Sequence, residues 1–358
     1  MKRVLQTIII LIFLSSCTYE EFSPEEWAVE PFLHIEKSGI VMPNIVSEVV
    51  VDIATNFKNI SVISSAAWCK VYENDKRIYI NLERNNSAEQ REAIITVTIS
   101  RGNKSMQKDI FLVQTGGYWD LVGDLSVFWS PEVSESQKKI ISNMINNMVY
   151  VRGGKFVMGK DKESHNVTLS DFYISKYELT QAEWNALMVT NNSQYKGSNL
   201  PVTDMTVEDI QIYLRNLYIA CGREFGLPTE AQWEYAARGG EFSMGYLYSG
   251  GNEYDKVGHF ANSLSTENSP SHTTVPVGQF ISNELGLYDM SGNVSELCYD
   301  LYAEYDLQDQ VDPIGPSWTE KKYHVERGGS FEEFWSTVYD RSIWYDSKSN
   351  GVRLILKR

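Results

Sequence analysis

The sequence predicts a multidomain protein: an all-β sandwich over residues 32–117, then an α+β domain over 148–358. Three observations predict it. Apolar alternation recurs in the first stretch, with Ile95, Val97 and Ile99 set against Thr96 and Thr98, the pattern of strands with one buried face. Further on, four Ser or Thr residues each stand three positions ahead of an acid or amide and open an apolar helical stripe. A chain of 358 residues with 42% hydrophobic content is also long enough for two packed cores.

The N-terminus reads as an export segment. Lys2 and Arg3 precede an unbroken apolar run from Ile8 to Leu14, and Ser15 and Ser16 lead into Cys17. A positive start, an apolar run too short to span a bilayer and small residues before a cysteine describe a signal peptide over 1–16. The order Leu14-Ser15-Ser16-Cys17 resembles the lipobox of bacterial lipoproteins. That implies cleavage before Cys17 and a membrane anchor through lipid on its thiol, each buried methylene contributing about 0.8 kcal/mol. Residues 17–31 are then a lipidated acidic linker. Glu20, Glu21, Glu25 and Glu26 make it similar to signals that send lipoproteins to the outer face of the outer membrane, so cell-surface display is expected. A formal net charge of -15 argues against nucleic acid as partner, since phosphates require Lys and Arg. Cys69, Cys221 and Cys298 cannot all pair within one chain and lack zinc spacing, so neither a disulfide framework nor a zinc site is implied.

In the first domain, strands are expected at 48–55, 95–99 and 110–114, with turns at Asn74-Asp75 and Gly102-Asn103. Short strands without a long helix suit a small sandwich. The order Ala67-Trp68-Cys69, Arg91 to Val97 and Ile110 to Gly117 resembles the BACON domain, an immunoglobulin-like module named for association with carbohydrate-active proteins. A spacer is the expected role, with Trp68 in its core. Residues 118–147 connect the domains. They end in a helix opened by the Ser134/Gln137 capping box, with Ile140, Ile141, Met144, Ile145 and Met148 on one face.

The second domain repeats that helix signal at Thr180/Glu183, Thr206/Asp209 and Thr229/Gln232, and Gly239-Gly240 closes the last helix. It also carries ordered motifs: Val151-Arg-Gly-Gly-Lys-Phe-Val-Met-Gly159, Leu227-Pro-Thr-Glu-Ala-Gln-Trp-Glu234, Asn283-Glu-Leu-Gly-Leu-Tyr-Asp-Met-Ser-Gly-Asn-Val-Ser-Glu296, Arg327-Gly-Gly-Ser-Phe331 and Gly351-Val-Arg-Leu354. Together these resemble the formylglycine-generating enzyme family, or sulfatase-modifying factors, across residues 148–358. The resemblance implies a variant of the C-type lectin fold.

It also implies chemistry, and here the sequence departs from the family. The family oxidises a sulfatase cysteine with copper held by two cysteines after the Arg-Gly-Gly-Ser motif, thiolate being a soft ligand suited to Cu(I). Residues 331–350 contain no cysteine, so copper is not expected and no catalytic residue is assigned. Other departures are Gly226 before Leu-Pro-Thr-Glu, and Ser295 and Leu297 where the family has tryptophans. The loop after Ala261-Asn262 also lacks the acids of a first calcium site.

The second calcium site of the family maps onto Asp289, Gly292, Val294 and Glu296. Two carboxylates and two main-chain carbonyls imply a structural calcium. In the segment without thiols stand Trp335, Tyr339, Asp340, Trp344, Tyr345 and Asp346, rings and carboxylates that suit a sugar or a protein surface. The leading expectation is a non-catalytic, surface-anchored glycan- or protein-binding module. Its alternatives are a formylglycine-generating enzyme acting on sulfatases, and a variable ligand-binding protein of a diversity-generating retroelement.

Overall fold

The computed structural model describes residues 30–42, 44, 47–261, 272–344 and 348–357; Cys17, Tyr345 and Asp346 lie outside them. The chain divides into two compact units. One comprises residues up to Gly39 with Glu48–Asn81 and Ile94–Phe111; the other comprises the remainder, including the short stretches Ile40–Ser47 and Leu82–Ala93.

Eight strands come first: β1 (Leu33–Ile35), β2 (Gly39–Met42), β3 (Ser47–Thr55), β4 (Asn59–Ser64), β5 (Cys69–Asn74), β6 (Arg77–Leu82), β7 (Arg91–Arg101) and β8 (Lys104–Gln114). They form two four-stranded sheets, ordered β1-β3-β6-β5 and β2-β8-β7-β4. The expected alternation is realised: Val51, Ile53, Ile78, Ile80, Ile95, Val97 and Ile99 are buried. Asp75 and Lys76 take positive φ at the β5–β6 turn, and Gly102 does so between β7 and β8. Trp68 differs from expectation. It is only partly buried and precedes β5, whose first residue Cys69 takes the core position.

A hairpin of β9 (Tyr118–Val122) and β10 (Leu125–Trp129) leads into helix α1 (Glu135–Asn146). The later helices are α2 (Gln181–Leu187), α3 (Val207–Cys221), α4 (Glu230–Ala237) and the short α5 (Tyr254–Val257). All four expected capping boxes form, on Ser134, Thr180, Thr206 and Thr229. Each hydroxyl accepts a main-chain N–H that the helix itself cannot satisfy.

Short strands frame these helices: β11 (Met148–Val151), β12 (Gly154–Met158), β13 (His165–Leu169), β14 (Phe172–Ser175), β15 (Phe225–Gly226), β16 (Ser295–Leu301), β17 (Gln310–Val311), β18 (His324–Arg327), β19 (Arg341–Ile343), β20 (Asn350–Gly351) and β21 (Ile355–Leu356). They form sheets ordered β11-β14-β21-β15, β12-β13-β17 and β19-β18-β16-β20. Strand β21 comes from the chain end yet lies between β14 and β15, antiparallel to both. One apolar core gathers Trp129, Ile141, Trp184, Tyr213, Leu297, Trp344 and Leu354. A second gathers Phe172, Trp233, Tyr235, Met290, Cys298 and Val338. Among the described residues no helix is long and apolar enough to cross a membrane, and Cys69, Cys221 and Cys298 form no disulfide.

Candidate functional site

The loop from Asp289 to Glu296 is built around buried charge. Gly292 has φ +80, and a Cβ there would lie 2.6 Å from the His259 carbonyl oxygen, so only glycine fits this turn. Arg353 donates from Nε to both Glu296 oxygens at 3.0 Å and from Nη2 to Oε1 at 2.7 Å. Its remaining hydrogen bonds reach the Ser175 and Tyr288 carbonyls. Trp233 Nε1 donates to Glu296 Oε2 at 2.7 Å. Both charged side chains are fully buried. Burial alone would lower the Arg353 pKa, but the Glu296 carboxylate holds it above its ordinary value.

Glu178 was not anticipated from the sequence. It reaches this loop from the segment before α2, accepting from Asn293 Nδ2 at 2.6 Å and from the Val294 N–H at 3.1 Å. Burial pushes its pKa well above the carboxylate range, and the charges of Asp289 and Glu296 add to the effect. Asp289 accepts the Gly278 N–H at 2.6 Å through Oδ2, while its buried Oδ1 has no hydrogen-bond partner. Burial raises its pKa to about 6.

This geometry bears directly on calcium. Both Glu296 oxygens face Arg353 and Trp233 rather than a cation. What is left from these residues is Asp289 with the carbonyls of Gly292 and Val294. Among the described residues no three His, Cys, Asp or Glu side chains converge as metal ligands. Of the four residues expected as a calcium set, Glu296 is half of an internal ion pair, while Asp289 keeps one buried oxygen without a partner.

A second buried network holds the Arg-Gly-Gly-Ser motif. Glu230 and Glu234 stand one turn apart on α4. Arg327, from the end of β18, donates to Glu230 Oε1 at 2.7 Å and to Glu234 Oε2 at 2.8 Å. Arg341 grips Glu230 with two bonds of 2.7 Å, and the Tyr305 hydroxyl adds one of 2.8 Å. Arg327 also donates to the Val338 carbonyl. The segment between Arg327 and Arg341 is thus clamped at both ends onto one helix, and residues 332–335 are exposed between buried Phe331 and Ser336.

The expected ligand-binding residues separate along that segment. Phe334 and Trp335 are 65% and 59% exposed, with ring centroids 6.3 Å apart. Tyr339 is partly buried, with the Arg238 guanidinium 4.9 Å from its ring centroid. Asp340 is exposed, but its Oδ2 accepts from the Thr337 N–H and hydroxyl at 2.7 and 2.9 Å, closing a turn. Trp344 is 5% exposed and sits in the first core, so it supports the fold and does not face a ligand. Beside the tip stands a carboxyl pair, Glu326 and Glu333, that the local sequence does not reveal. Glu326 accepts from Ser342 Oγ, and burial lifts its pKa to about 7, with the charge of Glu333 adding to the rise.

Copper held by thiolates does not fit these residues. Cys298 and Cys221 are fully buried in the two cores. Burial pushes the Cys298 thiol well above its ordinary pKa and the Cys221 thiol to about 12. Lying in separate cores, the two thiols do not form an adjacent pair for copper.

Short strands around capped helices, with motif arginines buried on the acids of α4, define an α+β domain of the sulfatase-modifying type. The chain belongs to the family of the sulfatase-modifying factor enzyme 1-like domain, which matches residues 133–353. It is 34% identical over 255 residues to the chaperone protein LppX of Paenibacillus barcinonensis, covering 58% of this chain and 86% of that one. It is also 34% identical over 143 residues to the formylglycine-generating enzyme of Streptomyces coelicolor, covering 37% of this chain and 42% of that enzyme. Among solved structures it resembles variable protein 1 of Treponema denticola, with a TM-score of 0.53 and 21% identity, covering 68% of this chain and 99% of that one. At that identity the likeness concerns the fold alone.

Proposed function

We propose that this chain is a non-catalytic binding protein, held on the outer membrane by lipid on Cys17, that meets its ligand at the Phe334–Trp335 tip. One observation carries the reading. Where the family resemblance would place copper-holding thiolates, residues 331–350 contain no cysteine, and two adjacent rings stand exposed instead. Large exposed rings on a clamped segment give contact area at a small entropic cost, as in binding hot spots. Glu332, Glu333 and Asp340 supply a polar rim around them.

A protein ligand is favoured over a glycan because LppX, matched over 86% of its length, is named a chaperone. The first unit serves in this reading as a BACON-like, immunoglobulin-type spacer between the lipid and the binding domain. The buried ion pairs keep the tip in place and take no part in chemistry.

The test is suppression of aggregation of a thermally unfolding model enzyme, followed by light scattering, with the double variant Phe334→Ala/Trp335→Ala beside the wild type. Both side chains are exposed, so the variant is expected to melt as the wild type does while losing most of the suppression. Equal suppression by the two proteins would remove the tip from the function. Loss of binding on a glycan array by the same variant would move the ligand from protein to sugar. Catalysis on a sulfatase cysteine is the second reading, favoured by the matched formylglycine-generating enzyme.

A further inference from the structure

A cavity of about 480 Å³ lies between the start of α4, the end of β16 and the loop 303–316. Its volume is that of a small-molecule pocket, and the function proposed above does not use it. Met158, Pro313 and Ile314 form apolar wall, while Asp300, Glu304 and Asp306 bring carboxylates.

The charge around this cavity does not balance locally. Arg341 lines it, but its Nε and Nη2 lie on Glu230 and its Nη1 on the Ala303 carbonyl. Arg327 and Arg341 are likewise held by Glu230 and Glu234, and Glu234 is shared with Arg238. Asp300, Glu304 and Asp306 form no salt bridge with a Lys or Arg among the described residues, although the charge of Arg341 acts on Asp300. Asp300 is the floor. It is 5% exposed, and its Oδ2 accepts the Glu230 N–H at 2.8 Å. No other side chain hydrogen-bonds this carboxylate among the described residues, and it lines the cavity. Burial lifts its pKa to about 7, with the charge of Glu230 adding to the rise and that of Arg341 opposing it. At the mouth, Glu304 and Asp306 are exposed.

We infer that this cavity binds a small organic cation, with a primary amine or guanidinium on the floor carboxylate Asp300 and its apolar stem along Met158, Pro313 and Ile314. A bare metal ion is disfavoured because no three metal-ligating side chains converge among the described residues. A neutral polyol would leave the carboxylates unmatched, and an anion would be repelled.

The experiment is calorimetric titration of the full chain at pH 8 with agmatine and with 1,5-diaminopentane. 1-Pentanol and pentanoate serve as neutral and anionic probes of similar length. Both amines are expected to bind, and the alcohol and the carboxylate are not. Asp300→Asn should weaken agmatine by at least about tenfold, as removal of a buried charge partner does. Because Asp300 also holds the start of α4, Ile314→Lys is the second variant. Ile314 is 60% exposed, so the fold tolerates lysine there, and its ammonium would compete for the same carboxylates. Agmatine binding is expected to be lost in Ile314→Lys with the melting temperature unchanged. The inference is overturned if neither amine binds, if pentanol binds as well as the amines, or if a folded Asp300→Asn or Ile314→Lys binds agmatine as the wild type does. The aggregation assay stays independent, since Phe334 and Trp335 do not line this cavity.

Discussion

Glu296 carries two possible roles on the same atoms, and geometry chooses between them. A carboxylate on a tight Gly-Asn loop suits calcium by pattern, but a guanidinium and an indole N–H already saturate it. That choice is a long-range one. Arg353 lies 57 positions away, so the loop's own sequence gives no warning of it. Removing one partner of a fully buried pair leaves the other uncompensated. Glu296→Gln is therefore expected to cost about 3–5 kcal/mol in urea denaturation, and a loss below 1 kcal/mol would mean that Arg353 finds another anion. A pH effect belongs to the same scale. Glu326 is held protonated by burial, against the Ser342 hydrogen bond, with a folded pKa of about 7 against an ordinary value of 4.5. The folded state thus binds more protons than the unfolded chain between these values, so this group's contribution falls as pH rises through them. Between pH 5 and 7.5 the wild type should lose more stability than Glu326→Gln, whose side chain does not titrate; parallel curves would contradict the assignment.

At the scale of elements, what was legible was local. Each capping box lies within four residues, and all four were readable before the fold was known. The alternation of β7 was equally plain, because one buried face imposes it. The motifs around Glu230, Glu234 and Arg327 were visible as strings, but not as one network. Nothing in the sequence indicates that Arg327 meets residues 93 and 97 positions earlier. Trp344 shows the limit from the other side: an aromatic in a polar segment looks like a ligand contact, yet sequence neighbours do not reveal that it enters the core. The Asp289–Glu296 loop gives the prediction at this scale. With both Glu296 oxygens engaged by Arg353 and Trp233, the loop offers calcium one uncommitted carboxylate oxygen, on Asp289, and little stabilisation by mass action is expected. Melting curves in excess calcium and in EDTA should coincide, and a calcium-dependent rise that Asp289→Ala removes would restore the loop as a metal site.

At the scale of the whole molecule, the family fold is kept, while residues 331–350, where the resemblance places copper-holding thiolates, contain no cysteine. Arg327 and Arg341, bound to the acids of α4, hold the segment after Arg-Gly-Gly-Ser, and that scaffold would serve thiolates or an aromatic tip equally well, which is why fold alone does not assign activity. The central claim is that this chain binds and does not catalyse. Its most direct test is to incubate the purified protein with a sulfatase-motif peptide, copper, reductant and oxygen, and to follow the peptide by mass spectrometry. Conversion of cysteine to formylglycine removes about 18 Da, since sulfur leaves with two hydrogens and oxygen enters. The account predicts an unchanged peptide mass, equal to a control without protein; a product lighter by that amount, formed above the control, would contradict it.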